Sequence, residues 1–308
     1  MQYAFYTVDV FTDRIFGGNP LAVFPEAEGL TDAQMQRIAT EFNYSETAFV
    51  LPPKTASGHY RLRIFTPQKE LNFAGHPTIG SAYLLAAIGK HPLTDPKTYL
   101  VFEEPVGLVR VAIHSQEGQP YQTALKVNQL PKQGPEPLSN HIIADILSLK
   151  SANIRDDQYF VQSFSCGIPF LIVPVVNSEI MAKVKVRYDL WDKFLSHHWA
   201  SALFLVTWDF PQPDPDAAID IHARMFAPGL GISEDPATGS AVAALGGYLG
   251  DRLEPTGTWN WKVEQGLEMG RPSLLELRVS KARGAITAVE VAGSSVIVSQ
   301  GQMEVPAA

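Results

Sequence analysis

Two loops of the sequence carry ionisable residues that are suited to moving a proton. His76 lies in the segment FAGHPTIGSA and Asp235 in the segment EDPATGSA, and each directly precedes a proline. Because the residue before a proline is biased toward an extended backbone, we expect both residues to be extended. A histidine and an aspartate that point into one cleft could donate, accept or hold a proton in acid/base chemistry.

A run of small residues follows each loop and predicts the start of a helix. We expect these starts near Gly80-Ser81 in the first half and near Gly239-Ser240 in the second. A helix N-terminus exposes unpaired N–H groups and carries a partial positive charge. Two such ends in one cleft would hold a small carboxylate or another anion. The neighbouring Glu234 is interpreted as an ordinary acid near a helix N-terminus.

Glu46 is a third ionisable candidate, in the segment NYSETAFV just before an apolar strand. A carboxylate beside apolar walls should have a raised pKa, which favours general acid/base catalysis near neutral pH. Most glutamates are solvated, however, so the pattern by itself favours a surface glutamate at the end of a strand.

The two halves of the chain repeat three short patterns in the same order. Residues 18–23 resemble 167–172, residues 63–67 resemble 224–228, and residues 76–82 resemble 235–241. Glycine and proline mark many turns, so one match would mean nothing, but three in order favour a duplication. A repeat of this length predicts two similar domains that face each other across a cleft, not a solenoid.

Other patterns predict the elements that would position these loops. Apolar or alternating runs predict strands near residues 4–10, 22–24, 47–51, 60–65, 99–102 and 108–113. Residues 31–42 predict a helix that opens with a capping box at Thr31 and Gln34, and a second helix is expected over about 78–88. The polar, proline-rich residues 128–137 are the best candidate for a linker.

Composition excludes several classes of protein. The net charge of −8 argues against nucleic acid as a partner, because no basic stripe could neutralise phosphates. The single cysteine, Cys166, rules out an internal disulfide and a cysteine-cluster metal site, and we interpret it as a buried structural thiol. We find no signal peptide and no membrane-spanning run, so a cytoplasmic protein without a membrane partner is expected.

Four segments together resemble the phenazine-biosynthesis PhzF-like isomerases. They are NYSETAFV, FAGHPTIGSAYLL, RMFAPGLGISEDPATGSAVAAL and EQGLEMGRPSLLEL, and the resemblance covers essentially the whole chain. It implies an α/β, diaminopimelate-epimerase-like fold of two pseudo-symmetric domains, each a mixed barrel-like sheet around a central helix. The implied domains are 1–127 and 128–296, with a C-terminal strand over 297–308 that returns to the first half.

The resemblance also implies an activity and its residues. It implies an isomerase that moves a proton within a small carboxylate substrate, in the cleft between the halves, as a homodimer without a metal or organic cofactor. The acid/base glutamate corresponds to Glu46. The supporting catalytic residues correspond to His76, Asp235 and Ser240, and the substrate-binding residues to Gly75, His76, Gly239 and Ser240.

Other functions remain open at this point. A racemase or epimerase of a small acid on the same fold would normally use two thiols, one at each loop, and these loops carry none. A non-catalytic protein that binds a small acid could use the same duplicated loops. A dinucleotide site at Gly229-Leu230-Gly231 is disfavoured, because Glu234 stands where the fingerprint needs its third glycine.

Overall fold

The computed structural model describes residues 1–208 and 218–306, and the chain divides into two compact units. The first unit contains Met1–Lys126 together with the C-terminal segment from Ala292 onward, and the second contains Val127–Val291. The last two residues of the predicted returning strand, 307 and 308, lie outside the described residues.

The first unit is built from eight consecutive strands and two helices, joined later by the last strand of the chain. Its elements are β1 (Gln2–Val10), β2 (Asn19–Phe24), α1 (Asp32–Phe42), β3 (Glu46–Leu51), β4 (Tyr60–Phe65), β5 (Glu70–Leu71), α2 (Gly75–Ala87), β6 (Lys97–Glu104), β7 (Gly107–Gln116) and β8 (Gln119–Lys126).

Where the structure describes it, the second unit contains the middle strands and four α-helices. Its elements are β9 (Lys132–Gln133), α3 (Asn140–Ile146), β10 (Gln162–Ser165), β11 (Pro169–Pro174), α4 (Ser178–Met181), α5 (Tyr188–Phe194), β12 (Ala202–Thr207), β13 (Ile221–Ala227), β14 (Ile232–Asp235), α6 (Gly239–Gly250), β15 (Gly257–Gln265), β16 (Ser273–Ala282) and β17 (Ala285–Gly293). The strand β18 (Ser295–Glu304) follows.

Strand pairing in the first unit gives a mixed sheet. β1 pairs antiparallel with β2, β2 parallel with β3, β3 antiparallel with β4, and β4 parallel with β6. β6, β7 and β8 continue as an antiparallel meander, and β18 adds antiparallel to β1. Helix α2 packs on strands of this sheet, and nearly all of its residues are buried, as expected for a helix that is apolar on every side.

The second unit repeats this pairing with its own strands. β10 pairs antiparallel with β11, β11 parallel with β12, β12 antiparallel with β13, β13 parallel with β15, and β15 antiparallel with β16. The buried helix α6 packs on β10, β11 and β16. The predicted α/β fold of two similar halves, each with a mixed sheet and a central helix, is therefore confirmed.

Local sequence signals located most elements correctly. The six strands predicted in the first half are present, and five of them begin one to three residues before the predicted residue. Thr31 caps α1 as predicted: its hydroxyl accepts from the Gln34 amide at 3.3 Å, and the Gln34 side chain accepts from the Thr31 amide at 2.8 Å. The predicted linker over 128–137 contains the short strand β9. Among the described residues, no helix is long and apolar enough to cross a membrane.

Candidate active site

Glu46 and His76 form a buried pair in the first unit. Glu46 is the first residue of β3 and is 8% exposed, so it does not occupy the surface position that its local pattern favours. His76 lies in the first turn of α2 and is 6% exposed. The imidazole Nε2 of His76 lies 3.6 Å from Oε2 of Glu46. Strand pairing and helix packing thus bring together two ionisable groups that are 30 positions apart.

Burial decides the charge state of the histidine. Removal from water lowers the pKa of His76 to about 3, so its imidazole is neutral at pH 7. A neutral imidazole has one N–H donor and one acceptor nitrogen. The 3.6 Å separation is longer than a hydrogen bond, and a small approach would let His76 donate to the Glu46 carboxylate. The Glu46 carboxylate therefore has a neutral imidazole beside it, which can donate a hydrogen bond to it after a small movement.

The start of α2 differs from the prediction. The helix begins at Gly75, after the extended residue Ala74, so His76 is helical and not extended. Pro77 is tolerated because the first helical turn needs no hydrogen bond from its nitrogen. Gly80 lies inside the helix, where a Cβ atom would meet Val10 Cγ2 at 2.6 Å. Gly80 therefore allows close packing on β1 and not ligand binding at a helix start.

The start of α6 agrees with the prediction. The helix begins at Gly239, and Thr238 precedes it without a side-chain capping bond. Ser240 is the second residue of the helix and is partly exposed. Gly75 and Gly239 are thus the first residues of the two buried helices, each preceded by a residue whose side chain caps nothing.

Asp235 is buried at the end of β14, 4% exposed, and its loop is held by two neighbours. The Thr238 hydroxyl donates to the Asp235 carboxylate. The Gln265 side chain donates to the Asp235 carbonyl at 2.7 Å and accepts from the Thr238 amide at 3.1 Å. Sequence reasoning missed Gln265. Gln265 lies in a segment that carries part of the family resemblance, EQGLEMG, but no local pattern links that segment to a loop 30 residues earlier.

Glu234 does not cap a helix, so that interpretation is wrong. It lies in β14, five residues before the first residue of α6, Gly239. It pairs with Arg224 of β13 through two contacts, at 2.7 and 2.9 Å. The first unit has the same arrangement, in which Arg63 of β4 pairs with Glu70 of β5 through two contacts of 2.7 Å. The repeated R-x-F pattern was the available signal for this duplicated ion pair.

The single cysteine is half-buried in the loop after β10. Burial raises the pKa of the Cys166 thiol to about 12, so it is protonated and a poor nucleophile at pH 7. Within residues 1–208 and 218–306, no three His, Cys, Asp or Glu side chains are grouped so that they could hold a metal ion.

Within the first unit the structure brings together Glu46, Gly75 and His76, and within the second it places Asp235, Gly239 and Ser240 along one short stretch. These are all six residues that the resemblance implied. Gln265 and Thr238, which hold the Asp235 loop, were not predicted from the sequence, and neither were the two arginine–glutamate pairs.

Known proteins resemble this chain over its full length. Residues 8–301 match the model of the PhzC-PhzF family, described as phenazine biosynthesis-like protein. A trans-2,3-dihydro-3-hydroxyanthranilate isomerase of Pseudomonas chlororaphis is 32% identical over 300 residues, which cover 97% of this chain and 99% of that protein.

Solved structures extend the comparison to the fold. A PhzF-family phenazine biosynthesis protein of Bacillus anthracis superposes with a TM-score of 0.86 at 25% identity, covering 99% of this chain and all of that one. A hydroxyproline epimerase of Agrobacterium vitis superposes with a TM-score of 0.58 at 12% identity, covering 98% of this chain and 91% of that one, which shows a shared fold alone.

Proposed function

Because the chain belongs to the phenazine biosynthesis-like family of isomerases, we propose that it moves a proton within a small carboxylate substrate, with Glu46 as the acid/base. The observation that carries this proposal is the pairing of a buried Glu46 with a buried, neutral His76 at 3.6 Å. Carboxylates are rarely placed in protein interiors without a role or a partner, and this one coincides with the position that the family resemblance implies.

In the proposed mechanism the ionised Glu46 removes a proton from an activated C–H group and returns it to a different carbon. No atoms are gained or lost, because the proton leaves one carbon and enters another while the double bond shifts between them. His76 stays neutral and donates a hydrogen bond, either to the Glu46 carboxylate or to a polar substituent of the substrate. Such acid/base catalysis contributes about 10²–10⁴-fold to a rate.

The starts of the two buried helices are proposed to bind the substrate carboxylate. Gly239 and Ser240 would supply backbone N–H groups and a hydroxyl, and Gly75 and His76 would help from the other half. Support comes from the position of both glycines as first helical residues and from the absence of a side-chain capping bond at Ala74 and Thr238.

Asp235 is proposed to hold a polar substituent of the substrate and to tune the protonation of the site. Asp235 is buried and its loop is held by hydrogen bonds, which supports a fixed side chain at the site and not an acid exposed to solvent. The proposal places both loops at a cleft between the two halves, as the resemblance implies, where closure would exclude water and limit loss of the carried proton.

Two rival functions are less well supported. A two-thiol racemase needs a cysteine at each helix start, whereas the single cysteine follows β10 and its thiol is protonated at pH 7. A protein that only binds a small anion has no use for a second buried carboxylate beside its site, and Glu46 and Asp235 are both buried.

The test is turnover of trans-2,3-dihydro-3-hydroxyanthranilate, which the name of the Pseudomonas relative gives as its substrate. The wild type and Glu46→Gln are incubated with this compound in D₂O and followed by proton NMR. Gln keeps the shape of Glu but cannot accept the proton, so we expect the rate to fall by about 10²–10⁴-fold. Glu41→Gln, at an exposed position of α1, is the matched control and should retain the wild-type rate.

Full activity of Glu46→Gln would refute the assigned base. If the wild type does not consume this compound, the substrate assignment fails, and a panel of other small carboxylates would then be tested by their stabilisation of the wild type against heat. The expected homodimer and cytoplasmic location stay predictions, to be checked by light scattering and by cell fractionation.

A further inference from the structure

A second buried glutamate, Glu104, lies beneath the start of helix α2. It is the last residue of β6 and is 7% exposed. Its Oε1 atom lies 2.9 Å from the hydroxyl of Thr78, and that hydroxyl lies 2.8 Å from the carbonyl oxygen of Ala74. Ala74 immediately precedes the helix, and His76 lies between Ala74 and Thr78. A line of polar contacts therefore runs from Glu104 to the helical turn that carries His76.

The hydrogens in this line can be assigned. The Thr78 hydroxyl has one hydrogen, and the Ala74 carbonyl can only accept, so this hydrogen is required at Ala74. The short contact between Thr78 and Glu104 then needs a hydrogen on the carboxyl group. The other oxygen, Oε2, is buried and has no hydrogen-bond partner among the described residues, which disfavours a carboxylate.

The removal of Glu104 from water also favours its protonated form. Burial raises the pKa of Glu104 to about 8, although a hydrogen bond donated by Thr78 would lower it. Burial and Thr78 are the causes that act on the pKa of Glu104, and the titratable groups on neighbouring elements do not reverse the shift. Glu103 accepts from the Lys54 and Thr55 amides at 2.7 Å, Arg61 lies opposite Glu103 on β4, and His76 is neutral. Opposite Glu104 on β7 is Gly107, which has no side chain.

The second unit contains a counterpart of Glu104. β6 and β15 run parallel to the strands that carry the two repeated arginines. Two positions before Arg63, Arg61 of β4 pairs with Glu103. Two positions before Arg224, His222 of β13 pairs with Glu264. The residue after this glutamate is Glu104 in one unit and Gln265 in the other, and each ends its strand. Gln265 is completely buried, as expected of an equivalent position.

A neutral acid could reproduce one donated and one accepted hydrogen bond of Gln265, which a carboxylate could not. The Gln265 amide donates to the Asp235 carbonyl at 2.7 Å and to the Thr238 hydroxyl at 3.1 Å, and it accepts from the Thr238 amide at 3.1 Å. A protonated carboxyl group has nearly the same shape as an amide, with one donor end and one acceptor end, whereas a carboxylate has only acceptors.

We infer that Glu104 is a positioning residue that acts as a protonated acid, holding the first turn of α2 and His76 as Gln265 holds the Asp235 loop. The consequence for catalysis rests on the proposed role of His76 in proton transfer. The protonation state of Glu104 does not depend on that role, so the two parts can be tested separately.

The first test measures stability against pH. Glu104→Gln replaces the acid by the amide found in the second unit, and urea unfolding of both proteins is measured from pH 5 to pH 9. The folded wild type holds a proton that the unfolded chain releases near pH 4.5, so its stability should fall relative to the variant as pH rises to about 8 and change no further above it. Glu103→Gln, on the same strand, should show no such trend.

A wild-type stability that differs from that of Glu104→Gln by a constant amount over this range would overturn the inference, because Glu104 would then be ionised throughout. The second test follows the His76 ring by NMR, with its signal assigned from its loss in His76→Gln. We expect the signal to shift with a midpoint near pH 8 in the wild type and to stay constant in Glu104→Gln. An unchanged midpoint in that variant would assign the shift to another group.

The third test compares the kcat of the wild type with that of two Glu104 variants. In the wild type, ionisation of Glu104 near pH 8 should displace His76 and lower kcat above that pH. Glu104→Gln should keep the wild-type kcat at pH 7 and show no such fall, whereas Glu104→Leu should lower kcat by up to about 10²-fold through misplacement of His76. Equal losses in both variants would overturn the positioning role. If the wild type consumes no substrate, the proposed function fails, while the stability and NMR results still decide whether Glu104 is a neutral acid that supports His76.

Discussion

The Nε2 atom of His76 lies 3.6 Å from Oε2 of Glu46, yet the imidazole is neutral at pH 7. A carboxylate at this distance favours the charged imidazolium, whereas burial disfavours it, and burial has the larger effect on the pKa of His76. The candidate site therefore combines a carboxyl group with a neutral hydrogen-bonding ring, and not with a fixed cation.

The neutral state of His76 predicts how stability depends on pH. The unfolded chain binds a proton at this residue below about pH 6.5, whereas the folded protein does not until about pH 3. Between these values unfolding takes up a proton, so stability falls as pH falls. We expect the wild type to lose about 1.4 kcal/mol per pH unit below pH 6.5 relative to His76→Gln, measured by urea unfolding at pH 7, 6 and 5.

A matched histidine separates this effect from general acid denaturation. His141 is exposed on α3, so His141→Gln should follow the wild type at every pH. A wild type that gains stability relative to His76→Gln as pH falls would show that the ring is charged in the folded protein, in contact with Glu46.

The pair of Arg224 with Glu234 predicts a large loss of stability when the arginine is removed. The Arg224 side chain is 7% exposed, and it also donates to the Met181 and Val184 carbonyls. Arg224→Leu would leave these acceptors and a mostly buried carboxylate without their partner, a change that typically costs about 3–5 kcal/mol. Chemical unfolding of this variant would measure the loss.

Two further arginines serve as comparisons. Arg63→Leu removes the equivalent pair, but Glu70 is 34% exposed, so we expect a smaller loss. Arg187 pairs with Asp189 at the surface, with side chains that are 52% and 67% exposed, and Arg187→Leu should cost no more than about 1 kcal/mol. Equal losses for all three variants would contradict the importance of burial at Arg224.

Gly80 predicts an exception to the usual effect of alanine in a helix. Glycine to alanine inside a helix typically stabilises by roughly 0.5–1 kcal/mol. At Gly80 the added Cβ would lie 2.6 Å from Val10 Cγ2 and 2.8 Å from Leu21 Cδ2, so we expect Gly80→Ala to destabilise the protein. Thermal unfolding of the variant, compared with the wild type, gives the sign.

A double variant identifies the cause of that loss. Val10→Ala removes the atom nearest to the new methyl group, so Gly80→Ala should cost less in a Val10→Ala background than in the wild type. Strictly additive costs would indicate that the contact with β1 is not responsible.

Short-range signals in the sequence established much of this protein. The Thr31 capping box, the strands of the first half and the start of α6 at Gly239 depend on neighbouring residues, and the structure has them within three residues of the predicted positions. The three repeated patterns predicted two similar halves, and the duplicated strand pairing agrees with them, because each pattern lies at the same turn or strand in both halves. The start of α2 was predicted three to five residues late, because the glycine at position 80 serves packing and not a helix end.

The environment of the candidate residues was decided by tertiary structure alone. Glu46 is buried because β3 lies between β2 and β4, and it meets His76 because α2 packs on the same sheet. Glu234 pairs with Arg224 across two antiparallel strands, and Gln265 reaches Asp235 from a strand 30 residues away. Such contacts join residues that are distant in the chain, and no local pattern encodes them. The sequence by itself determined which residues are candidates, whereas burial and strand pairing determined their charge states and partners.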